Sequence, residues 1–200
     1  MNFEHSEKTL EFQERVTRFF NAEVLPRHGE WVQQVIREGK EADFLPELRR
    51  KARAEGLWNL ALPELAETEP GNRLSNLEFA PLAEIMGKLP WGSQVFNCQA
   101  PDVPNMVMLQ SLATPEQKRR WLDPLLDGTT RSAFAMTEPD VASSDASNIG
   151  TRMAFEGDNI RINGRKWFAT GGGHPDCSFL IVMGVSDPDA TRTARQSMVI

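Results

Sequence analysis

Apolar positions recur every three or four residues through the first two-thirds of this sequence, then begin to alternate with polar ones after Arg131. Leu10, Phe12, Val16, Phe19 and Phe20 predict an amphipathic helix over 7–22, which Pro26 is expected to interrupt. Trp31, Val32, Val35 and Ile36 predict a short second helix stopped at Gly39. Leu45, Leu48 and Ala52 predict a third over 44–56, closed by Gly56. Residues 57–73 carry apolar side chains without a period and read as a buried or half-buried loop. Ser75-Asn-Leu-Glu78 is a capping box, in which serine and glutamate each satisfy an otherwise free amide. The helix it opens continues through Phe79, Leu82, Ile85 and Met86 to Gly87. Pro90-Trp91-Gly92 breaks the chain, and Val95, Phe96, Met106, Met108, Leu109 and Leu112 belong to one or two further helices. Thr114-Pro-Glu-Gln117 is a second capping box with proline at the first helical position, and Asp127-Gly128 ends the helix it starts.

Beyond Ser132 the predicted elements are strands. Ile149, Thr151, Met153 and Phe155 alternate with Gly150, Arg152 and Ala154 as in a half-buried strand. Glu156-Gly-Asp-Asn159 reads as a turn and Ile160 and Ile162 as a return strand. Asn163-Gly164 is the strongest short hairpin signal in the chain. Phe179 to Val185 and Ser197 to Ile200 predict two more strands, the last stopping on an apolar edge, as an interrupted domain would. The expected fold class is α+β: an all-helical domain over 1–128 and a truncated sheet domain over 129–200.

Composition narrows the function classes. A formal net charge of −6 argues against a nucleic-acid partner, which calls for a basic stripe. It leaves nucleotide cofactors open, since amides and hydroxyls can hold phosphates. Cys98 and Cys177 stand far apart and are expected to be reduced, buried or half-buried thiols. His5, His28 and His174 lack metal-ligand spacing, so no metal is expected. The polar N-terminus is unlike a signal peptide and no apolar run is long enough to span a bilayer, so the chain reads as soluble and cytoplasmic.

Chemistry gathers in 131–173. In Met136-Thr-Glu-Pro-Asp-Val-Ala-Ser-Ser-Asp145, Pro139 forces a turn, while Ser143 and Ser144 add hydroxyls and amides able to cradle a pyrophosphate or the polar edge of a heterocycle. The competing reading is a polar turn that bonds to itself through Asp140 and Asp145. In Lys166-Trp-Phe-Ala-Thr-Gly-Gly-Gly173, Trp167 offers a flat π surface, Thr170 a hydroxyl, and the glycines allow close backbone approach. Trp167 fits a core position as well as a cofactor contact. The glycines have the wrong spacing for a dinucleotide fingerprint, no GxSxG is present, and His174 is a weak base candidate. Met106 and Met108 fit either core filler or a pliable lining for an apolar ligand.

Placed together, Ala135-Met-Thr-Glu-Pro139 with Ser144-Asp145, and Ile162-Asn-Gly-Arg-Lys-Trp167 with Gly171-Gly172, strongly resemble the acyl-CoA dehydrogenase family of flavoproteins. Thr114-Pro-Glu-Gln-Lys-Arg-Arg-Trp-Leu-Asp-Pro-Leu125 fits the same family, so the resemblance covers essentially the whole chain. Val141-Ala-Ser-Ser-Asp145 and Asp187-Pro-Asp189 look most like a long-chain-type branch. The resemblance implies a helical domain, a middle β-barrel domain, here incomplete, and a C-terminal helical bundle absent from this chain. FAD would lie between barrel and bundle, with the acyl thioester stacked on its ring. A glutamate base would remove the α-proton while the β-hydride passes to flavin N5.

By that resemblance Phe134, Ala135, Met136 and Thr137 would line the flavin, Thr137 bonding the pyrimidine end, and Trp167 would shield one side of the ring. Ser144 would approach the pyrophosphate or the CoA arm of the substrate, with Ser143 as the alternative because the loop is one residue longer than the common form. Many members carry Trp-x-Thr; here Trp167-Phe168-Ala169 stands there, with Thr170 one place later. The catalytic base is expected beyond Ile200, and Glu138 sits at a turn position. The partners implied are an acyl-CoA, an electron-transferring flavoprotein or similar acceptor, and further copies in a homodimer or tetramer. Rival readings are a flavin oxidase or monooxygenase of the same fold, and a non-catalytic remnant that binds acyl-CoA or a partner.

Overall fold

The computed structural model describes residues 4–200 as two compact units. One comprises residues up to Val103 with Gln110–Leu112; the other comprises Pro104–Leu109 and Ala113–Ile200. Residues 113–128 thus cluster with the strands rather than with the other helices, a division in packing distinct from the 128/129 boundary drawn from the sequence.

The first unit is helical. α1 (Glu7–Phe19) starts at Ser6, whose hydroxyl accepts from the Thr9 amide, and buries Phe12, Val16 and Phe19 on one face. Pro26 does not break the chain as expected. The backbone stays right-handed through a wide turn at Phe20–Val24 and a tight turn at Leu25–Arg27, and continues as α2 (His28–Trp31) and a second wide turn at Val32–Arg37. Changing the turn width removes the need for the amide that proline lacks. Gly39 and Gly56 then take the left-handed conformations that stop their helices, with α3 (Leu45–Ala54) between them. α4 (Asn76–Met86) carries the full Ser75–Glu78 capping box.

The irregular stretch after Gly56 is buried at Leu57–Leu60, Leu62 and Leu65, and two asparagines make that possible. Asn59 and Asn97 both adopt positive φ, and the Asn97 amide donates to Asn59 Oδ1 at 2.7 Å. Asn59 also donates to Pro70 O at 2.7 Å and Asn97 accepts from Arg49. Buried main-chain and amide groups are satisfied in this way while Leu57, Leu60, Leu74, Trp91 and Phe96 complete the core.

The second unit takes in the middle of α5 (Asp102–Leu112), then α6 (Pro115–Gln117) with its Thr114 capping box, and α7 (Asp123–Asp127) ended by left-handed Gly128. Met106 is fully buried in α5, a core role, and Asn105 donates to Ser132 Oγ at 2.9 Å.

Five strands follow: β1 (Arg131–Ala135), β2 (Arg152–Glu156), β3 (Asn159–Asn163), β4 (Cys177–Val185) and β5 (Gln196–Val199). They form one sheet in the order β1-β4-β2-β3, with β5 antiparallel to β4. β1 and β4 are parallel, Phe134 facing Ile181, so everything between them is a crossover. Both polar motifs lie in it. This is the expected α+β class, a helical domain followed by a partial sheet domain. Among the described residues no helix is long and apolar enough to cross a membrane. Burial pushes the Cys98 thiol up to about 12, so it behaves as an apolar side chain.

Two strand expectations need correction. The β2–β3 turn is at Gly157-Asp158, within the expected Glu156–Asn159 turn, and Gly157 is left-handed; Asn163-Gly164, by contrast, makes no hairpin and Gly164 lies outside the left-handed region. Gly164 is instead pressed against Thr151, where a methyl group would overlap the Thr151 side chain. The alternation from Ile149 also fails at its end: Ile149, Thr151 and Met153 are buried, but Phe155, Ile160 and Ile162 are exposed. Gly164→Ala is therefore expected to destabilise the protein by about 1–3 kcal/mol, and Asn163→Ala to stay within about 0.5 kcal/mol. Urea denaturation of the two variants measures both; equal losses would restore the turn reading.

Candidate functional site

The crossover from β1 to β4 is built around one carboxylate. β1 ends at Ala135, and Met136 and Thr137 run on as extended, half-buried chain. Glu138, 6% exposed, then turns inward. Its Oε1 accepts from Lys166 Nζ at 2.8 Å and from the Thr151 amide at 2.9 Å, and its Oε2 accepts from the Gly150 amide at 2.7 Å. Lys166, itself 13% exposed in its side chain, also donates to Met136 O at 2.8 Å. Burial opposes ionisation of Glu138, but the bonds from Lys166, Thr151 and Gly150 outweigh it and hold the carboxyl at about 2.

That clamp draws the two sequence motifs together. The Trp167 amide donates to Thr137 O at 3.0 Å, and Arg165 reaches both oxygens of Asp140 at 2.8 and 3.0 Å. Residues 136–140 and 165–167 are thus bound side by side. The other arm of the loop folds back through Ser143, whose buried hydroxyl accepts from the Glu138 amide at 2.6 Å. Ser144, beside it, is exposed. The Asp145 carboxylate accepts from the amide and hydroxyl of Ser147 at 2.9 and 2.6 Å, and these bonds, with the charge of Arg192, hold it below the usual carboxylate range.

Each residue singled out from the sequence can now be placed. Phe134 is half-buried and Ala135 buried in β1; Met136 and Thr137 follow at its open end. Ser143 is internal and bonded, Ser144 outward. Trp167 and Phe168 are 46% and 80% exposed, with ring centroids 4.6 Å apart. Phe168 holds the left-handed conformation at φ 49°, a strained geometry for an aromatic residue. Ala169 is half-buried, Thr170 exposed, and Gly171 left-handed before a turn in which His174 Nδ1 accepts from the Asp176 amide. The self-bonding reading of the polar loop holds for Asp145, whereas Asp140 pairs with Arg165. Sequence reasoning missed Glu138 and Lys166 as the link between the motifs. A glutamate inside the first motif and a lysine at the head of the second were the available signal.

The donor set suits FAD. Two exposed aromatic faces and the half-buried Phe134 and Met136 offer apolar surface for a planar ring. Neither Thr137 Oγ1 nor the Ser144 hydroxyl has a hydrogen-bond partner among the described residues, which leaves both able to meet the polar edge of a heterocycle or a phosphate oxygen.

The profile of the acyl-CoA dehydrogenase N-terminal domain matches residues 6–129 and that of the middle domain residues 133–200. The chain belongs to the acyl-CoA dehydrogenase family. It is 50% identical over 161 residues to acyl-CoA dehydrogenase family member 10 of Mus musculus, covering 78% of this chain and 15% of that protein. It is 42% identical over 205 residues to family member 11 of Gallus gallus, covering 99% of this chain and 26% of that protein. A solved Mycobacterium abscessus structure bearing the same family name superposes with TM-score 0.88 at 47% identity, covering 98% of this chain and 50% of that one. The chain therefore spans half or less of the length of these relatives.

Replacing Glu138 by glutamine should expose the clamp energetically. Lys166 would be left buried without its counter-charge, at a cost on the order of 3 kcal/mol at neutral pH. Because the folded carboxyl sits at about 2, below its ordinary 4.5, its contribution is present above about pH 5 and is lost as the pH falls towards 2. Denaturation of wild type and Glu138→Gln across pH 2–7 should show the difference shrinking at the acid end. A gap independent of pH would contradict the clamp.

Proposed function

We propose that this chain forms one wall of the flavin site of an FAD-dependent enzyme that dehydrogenates an acyl-CoA thioester between Cα and Cβ. The observation that carries this is the coupling of the two motifs: Lys166 and the Trp167 amide fasten the exposed aromatic pair to the end of β1, beside the Thr137 hydroxyl. When bound, FAD supplies the two-electron acceptor that takes the β-hydride as a base removes the α-proton and the C=C bond forms. Phe134 to Thr137 hold and orient the ring, Thr137 by its hydroxyl, and Ser144 meets a phosphate of the cofactor or of the substrate. The aromatic pair keeps water from the reacting carbons.

Within that pair the aromatic-x-threonine pattern falls on Phe168-Ala169-Thr170 rather than on Trp167-Phe168-Ala169. Phe168 is the more exposed ring, and its left-handed backbone is a strain that presentation of the ring would explain. Thr170 then takes the place the sequence assigned to Ala169. Glu138 does not serve as the base: three donors occupy it and its carboxyl sits at about 2, far below an effective general base at neutral pH. The base comes from outside residues 4–200, and electrons leave to an electron-transferring flavoprotein or similar acceptor from a homo-oligomeric enzyme.

Titration with FAD, then acyl-CoA, tests the reading. Phe168→Ala should weaken flavin binding by roughly tenfold, and Trp167→Ala by less. The 200-residue chain supplied with FAD and acyl-CoA should give no turnover, since the base is assigned outside residues 4–200. Robust turnover by this chain would overturn that assignment, and failure of the protein, at its natural length, to bind FAD would overturn the reading.

A further inference from the structure

The loop between β4 and β5 carries an arginine that the polar motifs do not account for. Arg192 lies 45 residues from Ser147 in sequence, yet its Nε donates to Ser147 Oγ at 2.7 Å. Its terminal nitrogen donates to Asp145 Oδ2 at 2.8 Å. Ser147 in turn donates from its hydroxyl and its amide to Asp145 Oδ1. Arg192, Asp145 and Ser147 so close a ring in which every oxygen of the carboxylate is used. Four residues on, Gln196 Nε2 donates to Ala146 O at 3.1 Å, giving the same turn a second tie to the start of β5. Within the turn, Asn148 Nδ2 reaches Ala142 O at 3.2 Å. The β4–β5 loop thus grips the segment from Ala142 to Asn148 from outside, and Ser144 is exposed within it, next to Asp145.

We propose that Arg192 is a positioning residue for a pyrophosphate-binding turn, fixing residues 142–148 and cancelling the charge of Asp145 next to Ser144. The inference rests on the flavoprotein reading above, and the ligand chemistry is the pyrophosphate that FAD and coenzyme A share. The electrostatic need is plain. Ser144 can offer a hydroxyl to a phosphate oxygen, but its neighbour Asp145 is anionic and would repel the same group. A guanidinium bonded to that carboxylate removes the repulsion without itself having to touch the ligand. The forked donor set matters too, because one guanidinium spans Asp145 and Ser147 at once, which an ammonium point charge does not. An ordinary surface ion pair is the competing account: the Arg192 and Asp145 side chains are 64% and 52% exposed, and such pairs add little to stability. The two accounts differ in what they predict for ligands.

Equilibrium titrations with FAD, and separately with coenzyme A, at low and high salt on the protein at its natural length separate them. Arg192→Gln should leave the unfolding midpoint nearly unchanged and weaken one or both ligands roughly two- to fivefold, more at low salt. Loss in the FAD titration places the cofactor's pyrophosphate at the turn; loss in the coenzyme A titration places the substrate's. Asp145→Asn/Arg192→Gln should regain affinity, since the uncompensated charge is gone, and Arg192→Lys should recover only part. Unchanged affinity for both ligands in Arg192→Gln overturns the proposal. If Arg192→Gln also lowers the midpoint, the double variant decides: affinity that returns supports the charge role, and affinity that merely follows the midpoint overturns it. A wild type that binds neither ligand overturns the flavoprotein reading instead.

Discussion

A carboxylate taken out of water must find donors for its oxygens or give up its charge. Glu138 finds three, and they come from two separate segments: the amides of Gly150 and Thr151 entering β2, and the ammonium of Lys166 past the hairpin. The crossover from β1 to β4 otherwise buries few apolar side chains, Ile149 and Met153 among them. Satisfying this one buried charge forces the exit of β1, the entry to β2 and the segment after β3 to meet at a point. Replacing the pair by apolar residues of similar volume could match its stability; in this structure the charged groups bind the three segments to one another through directional hydrogen bonds.

The division of labour follows from that constraint. Ser143 spends its hydroxyl on the Glu138 amide and is structural, while Ser144 next to it is left facing outward. Lys166 and the main chain of Trp167 are tied down, while the rings of Trp167 and Phe168 remain exposed. In each pair one residue anchors and its neighbour presents. An apolar, hydroxyl-dotted wall of this kind suits a planar cofactor with a polar edge, and membership of the acyl-CoA dehydrogenase family gives that wall its context.

Features whose cause is local were readable from residue order. Ser75 with Glu78 and Thr114 with Gln117 form their capping boxes because all partners lie within one turn. The two polar motifs were recognisable together because their spacing is set by the crossover. Features whose cause is distant were not. Gly164 mimics a hairpin glycine but is required by the Thr151 side chain across the sheet. Pro26 looks like a helix stop, yet two changes of helical width absorb it. Phe155, Ile160 and Ile162 follow a buried pattern on a hairpin that leaves them exposed. The Asn59–Asn97 pair and the Glu138 clamp depend on partners 12–38 residues away, which no local pattern announces.

The left-handed backbone at Phe168 sets stability against use. Glycine or asparagine would occupy that conformation with less strain, so a search for sturdier variants would be drawn to this position. Each such gain would delete the most exposed aromatic face in the crossover. Position 168 is therefore where an engineer optimising thermal tolerance, and selection for binding, pull in opposite directions.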